Sequence, residues 1–214
     1  MNIFKLTNVS TAFFLLLCSN ANAQFYNLST PGSSLVIEAP QNGEAKLIYY
    51  GTKLSENELN EIKSSGFNSF SAYPVYGMNC QSETALAVKH YDGNMSLQME
   101  VINVENTSNE DYAQTTLTLK DKVYPFYVNI NYKAYNKVDM IETWSEITNK
   151  EKGTVTLNQF SSGYMPIRRG NVWLSSLYGS WANEGRLCEE ELTPGMKIIK
   201  NKDGVRNSHT AHAE

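Results

Sequence analysis

The feature that most constrains this chain is a period of two in its middle. Met95, Leu97, Met99 and Val101 share one side of an alternating stretch, as do Phe126, Val128, Ile130 and Tyr132, with Ser, Gln, Asn and Lys among the residues between. Successive side chains of a strand point to opposite faces, so each stretch reads as a half-buried β-strand. Turn chemistry breaks the pattern at fairly even intervals: Asp92-Gly93, "NTSNED", the Asp-Lys before Pro125, "NKVD", "NKEKG" and "RRGN". Long antiparallel strands joined by short turns specify an all-β fold, a sandwich. One short helix is predicted near residues 56-65, where Ser55-Glu56-Asn57-Glu58 forms a capping box ahead of Leu59 and Ile62, with Gly66 as its stop.

Residues 1-23 stand apart from this fold. Lys5 precedes the apolar run "AFFLLLCS" and Ala21-Asn22-Ala23 stands just before Gln24, the pattern of a secretory signal peptide. That run is too short to cross a bilayer and no later stretch is longer, so no membrane span is expected. A lipid anchor on Cys18 is disfavoured by bulky Leu17, where such sites want a small residue. The expected location is exported, periplasmic or extracellular. Residues 24-214 are numerous enough to bury a core without staples. Losing Lys5 moves the net charge from −4 to −5, a balance unsuited to holding phosphate backbones, and nucleic acid is not an expected partner. Cys80 and Cys188 remain, either paired in an oxidising compartment or as free thiols, and their spacing does not decide between the two.

A search for catalytic machinery finds no G-x-S-x-G elbow, no phosphate-binding Gly loop and no Cys-His pairing that the sequence recommends. No catalytic residue is assigned and no cofactor is expected. His209, His212 and Glu214 in "HTAHAE" have a spacing that metal sites use, but nothing indicates the helix that would put both imidazoles on one face. They read as solvated or interface residues, and no metal is expected. Most of the 13 Tyr and 3 Trp serve core and edge packing, including Trp144 in "DMIETWSEITN" and Trp173 in "NVWLSSL". Trp181 differs. It follows Gly179 and precedes Asn183, Glu184, Gly185 and Arg186, a polar, turn-prone setting in which an indole can be exposed.

These pieces carry a resemblance. "YPVYG" (Tyr73 to Gly77), Asp92-Gly93 after a strand, "ITN" (Ile147 to Asn149), "LYGSWANE" (Leu177 to Glu184), the Leu192 to Gly195 step and "DGVRNSH" (Asp203 to His209) occur in this order. The order resembles the amino-terminal domain of glycoside hydrolase family 36, the α-galactosidases, over most of residues 24-214. Its most specific part is the G-x-W-x-x-E stretch with the G-x-x-x-S-H segment after it.

The resemblance implies a β-supersandwich that precedes a (β/α)₈ barrel carrying both catalytic aspartates. Neither aspartate motif is found in this sequence, so residues 24-214 are expected to be an incomplete supersandwich at the front of a longer enzyme, inactive alone. The implied chemistry of the whole is retaining hydrolysis of terminal α-D-galactosides by two carboxyl groups about 5–5.5 Å apart. Trp181, Glu184, Arg186 and His209 become candidates for substrate binding or for a domain interface. The implied partners are the catalytic barrel of the same chain and an α-galactoside oligosaccharide, with a homo-oligomer left open. Two stretches depart from the family pattern. Where relatives carry a basic and an aromatic residue after "YPVYG", this chain reads "MNCQSETAL", and Ser208-His209 is followed by Thr210-Ala211-His212 instead of Asn-Pro. A free-standing carbohydrate-binding or adhesion sandwich is the alternative, since a sandwich hosts many functions.

Overall fold

The structure is a computed structural model, and it describes residues 24–64, 69–78, 83–167, 170–180, 182–200 and 212–213. The chain divides after Pro166 into two compact units.

The first unit is built on two four-stranded antiparallel sheets. One runs in the order β1 (Phe25–Ser29), β2 (Ser33–Glu38), β3 (Lys46–Thr52), β4 (Phe70–Ser71). The other is a meander of β6 (Met99–Ser108), β7 (Tyr112–Asp121), β8 (Phe126–Tyr135) and β9 (Ile141–Asn149). Between them in sequence lies β5 (Leu86–Lys89), which pairs with β10 (Thr156–Phe160). Leu35, Ile37 and Leu47 of the first sheet share one core with Val101, Leu117, Val128 and Ile130 of the second, which makes the unit a sandwich. Each such side chain contributes roughly 1.5–3 kcal/mol by leaving water.

The expected alternation holds along β8 except at Asn131, which is buried although it points to the outer face. Phe126, Val128, Ile130, Tyr132 and Ala134 are buried, whereas Tyr127, Asn129, Lys133 and Tyr135 alternate with them on the other face. At β6 the expectation needs correction, because the strand begins at Met99 and not at Met95. Leu97 and Met99 are buried as expected, but Met95 is exposed. The backbone here is committed elsewhere: Leu97 N–H donates to the Tyr76 carbonyl and Gln98 N–H to the Asp121 carboxylate at 2.7 Å. Asp121, itself buried, also accepts the N–H groups of Val123 and Tyr124 at 2.8 Å each and so shapes the turn from β7 to β8.

The helix α1 (Glu56–Ser64) starts where its capping box places it. Ser55 N–H and Oγ–H both donate to Glu58 Oε2, at 2.8 and 2.6 Å, and the Glu58 N–H is 3.4 Å from Ser55 Oγ. The predicted stop, Gly66, lies outside the described residues. Ile62 packs with Val36 and Ile48, so α1 covers the face of the first sheet that points away from the sandwich core. This explains why Leu35, Val36 and Ile37 are buried in succession, since a strand covered on both faces has no polar side.

The second unit contains the hairpin β11 (Trp173–Ser180) and β12 (Asn183–Glu191), then the short pair β13 (Ile199–Lys200) and β14 (His212–Ala213).

Candidate functional site

Gly179, Ala182, Asn183 and Glu184 of the G-x-W-x-x-E stretch lie at the tip of the β11–β12 hairpin. Tyr178 pairs with Arg186 and Ser180 with Asn183, so Gly179 on one strand faces both Glu184 and Gly185 on the other. This is a bulge, and Gly185 occupies its left-handed position at φ 69°, where a Cβ would be strained. Ala182 in the turn has φ 57°, a conformation that costs an L-residue roughly 1–2 kcal/mol. Glu184 helps to hold it, since its Oε1 accepts the Ala182 N–H at 3.2 Å. Arg186 Nε donates to Asn183 Oδ1 at 2.7 Å. The glycine the bulge requires is therefore Gly185, one residue past the motif, and Glu184 is the carboxylate that closes the turn.

Glu184 and Arg186 are both exposed at this tip, within a few residues of each other on one strand. Trp181 and His209 lie outside the described residues, as does Cys80. Cys188 is half-buried and carries a free thiol. Other acids of this hairpin are engaged locally: Glu189 accepts from Ser175 Oγ at 2.9 Å, and Glu190 pairs with Lys197 at 3.0 Å. Trp173 corrects the expectation of a packed residue, being 62% exposed on β11. Trp144 is half-buried on β9. No cluster of three potential metal ligands occurs among the described residues.

Sequence reasoning missed a second cluster. His90, at the end of β5, places Nδ1 2.7 Å from Glu151 Oε1, with neither side chain open to solvent. Its ring stacks on Tyr124 at 3.7 Å between centroids and 11° between planes, and meets Phe126 edge-on. The Tyr124 hydroxyl donates to Asp92 Oδ2 at 2.8 Å and accepts from Asn94 Nδ2 at 3.0 Å. Hydrogen bonds from the Asn94 backbone N–H, then from Tyr124, hold the Asp92 carboxyl below the usual carboxylate range. The cluster ties the Asp92-Gly93 turn to the turn that carries Glu151. His90, Asp92 and Asn94 sit within one turn and were in principle visible, but Glu151 is 61 residues away and has no local signal. Closed to solvent at the His90–Glu151 pair, it is a clamp, not a place where a substrate can enter.

The family model "Glycosyl hydrolase family 36 N-terminal domain" matches residues 43–213. No curated protein matches the chain by sequence. Among solved structures, the α-galactosidase of Lactobacillus brevis is 18% identical with a TM-score of 0.72, over 83% of this chain and 28% of that one. The α-galactosidase AgaA of Geobacillus stearothermophilus is 16% identical with a TM-score of 0.73, over 88% and 30%. The galactosidase domain of the α-galactosidase-sucrose kinase AgaSK is 20% identical with a TM-score of 0.73, over 90% and 31%. At these identities the likeness establishes the fold, and the chain spans less than a third of each of those proteins.

Proposed function

This chain belongs to glycosyl hydrolase family 36 through its amino-terminal domain, and we propose that it is the non-catalytic amino-terminal part of an exported retaining α-galactosidase. The match of the family model to residues 43–213 carries the reading. Its partner is a catalytic barrel belonging to the same polypeptide, which supplies the nucleophile and the general acid/base for cleavage of terminal α-D-galactosyl groups. Export rests on the signal-peptide pattern of residues 1-23.

In this reading the hairpin tip works at the seam with the barrel. Glu184 and Arg186 are exposed there, and the bulge at Gly185 fixes the direction in which β12 presents them. Rigid placement of a charged pair suits an interface, because its ordering cost is met before the partner arrives. No acid of this chain is given a catalytic role. Glu189 and Glu190 bond within the second unit, and Glu184 serves the turn.

The test is turnover. The 214-residue chain, incubated with an aryl α-galactoside, is expected to release no aryl alcohol above a mock preparation, whereas the polypeptide read through into a barrel is expected to do so. Turnover by the chain alone that co-purifies with it would overturn the assignment.

A further inference from the structure

Export gives the first residue of the fold a chemistry that it lacks inside a longer sequence. Under the export proposed above, cleavage after Ala21-Asn22-Ala23 leaves Gln24 as the amino-terminal residue. A free α-amine then shares one residue with a carboxamide. N, Cα, Cβ, Cγ and Cδ of such a glutamine are together the members of an unstrained lactam ring, so the amine can reach the side-chain carbonyl carbon of its own residue.

Gln24 is exposed, but it is not loose. Its backbone carbonyl accepts the Ala39 N–H at 2.9 Å, which carries the β1–β2 ladder one residue past the pair of Phe25 and Glu38. The next two side chains pack on opposite faces of the sheet, Phe25 against the cluster of Val36, Ile48 and Ile62 and Tyr26 against the main core. Chain ends fray unless they are tied down, and these contacts tie down the start of β1.

The side-chain amide is held as well. The Tyr26 hydroxyl donates to Gln24 Oε1 at 2.7 Å, an arrangement that extended backbone makes local because residues two apart lie on one face. Burial pushes the Tyr26 hydroxyl above the ordinary phenol range, so it stays protonated and keeps donating at neutral pH. Addition of an amine to an amide carbonyl puts negative charge on the oxygen. A donor already aimed at that oxygen stabilises the charge as it develops, with no rearrangement at the moment of reaction.

We propose that Gln24, once freed as the amino terminus, closes to a pyroglutamyl residue, with the Tyr26 hydroxyl polarising the carbonyl under attack. The α-nitrogen forms a bond to Cδ, the Cδ–Nε2 bond breaks, and one proton of the amine passes through water to Nε2, which leaves as ammonia. Nothing is oxidised or reduced, and no co-reactant is consumed. The product has lost the charge of the α-ammonium and carries a neutral lactam N–H in its place. An aminopeptidase that grips the ammonium then has nothing to hold at the start of β1. The free amine rests on the export reading, whereas the closure rests on the contacts of Gln24 and Tyr26.

The experiment has two arms. In the first, the 214-residue chain is produced in a bacterium that exports proteins, and the amino-terminal peptide of the recovered protein is read by mass spectrometry. The expected peptide begins at Gln24, is lighter by one ammonia, and is blocked to stepwise sequencing until a pyroglutamyl peptidase is added. A recovered chain that begins at any other residue overturns the cleavage site and the modification with it. One that begins at Gln24 and keeps its free amine overturns the modification alone. In the second arm, residues 24–214 are released from a fusion partner with Gln24 first, and loss of ammonia is followed at neutral pH without export. Retention of the free amine in this preparation also overturns the closure, and Gln24→Ser should lose no ammonia. Removing one hydrogen bond to the developing oxyanion should slow closure in Tyr26→Phe about two- to tenfold. Unfolding the unsubstituted chain in urea should slow it likewise, since the hydroxyl is then no longer aimed at Oε1. An equal rate in Tyr26→Phe and the unsubstituted chain would overturn the role given to the hydroxyl.

Discussion

Replacing Glu151 by alanine tests whether the His90 cluster holds two turns together. His90 Nδ1 lies 2.7 Å from Glu151 Oε1, both side chains are closed to solvent, and His90 Nε2 already has no partner. Removing the carboxylate leaves both ring nitrogens unmatched, because the 3.7 Å stack on Tyr124 holds the ring in place. An orphaned buried polar group costs about 1–3 kcal/mol, and loss of one partner of a buried pair about 3–5 kcal/mol. The expected loss for Glu151→Ala is therefore about 2–4 kcal/mol, and at about 2–4 °C per kcal/mol for a chain of this size Tm falls by roughly 4–16 °C. Denaturant and thermal unfolding followed by circular dichroism read both quantities. A double-mutant cycle with His90→Phe, which keeps a planar ring over Tyr124, isolates the pair and should return a coupling of about 1–3 kcal/mol. A loss below about 0.5 kcal/mol for Glu151→Ala, or no coupling in the cycle, would refute the clamp.

Three further outcomes are expected. Gly77 has φ 100°, and a Cβ there would stand 2.7 Å from Ser96 Cα and 2.8 Å from Leu97 N, so Gly77→Ala should cost more than about 1 kcal/mol in denaturant unfolding. Gly170, with open space around it, should tolerate alanine within about 0.5 kcal/mol. Asp92 titrates below its ordinary value in the folded chain, so its contribution is present above the unfolded carboxylate range near pH 4 and is lost as pH falls through the depressed value. Asp92→Asn should flatten the stability–pH curve on that acid side and leave its shape above pH about 6 unchanged.

Local chemistry determined much of this protein. The period of two placed β8, the Ser55 and Glu58 pair placed the start of α1, and the turn-prone run Asn183-Glu184-Gly185 marked the turn of the β11–β12 hairpin. Each of these depends on residues that are neighbours along the chain, where strand pleat, capping and turn geometry act directly. Met95 marks where that reading fails, because the alternation continued while the backbone of 97 and 98 had been taken by Tyr76 and Asp121. Only the tertiary structure decided that Val36 would be covered by a helix, that Trp173 would face solvent, and that Glu151 would reach His90. It also decided that Asn131 would lie beside Trp144 with an unmatched amide, since the row they share is set by strand register across a turn. Contacts between residues distant in sequence depend on how sheets pair and stack, and a pattern of single residues carries no record of which strands become neighbours.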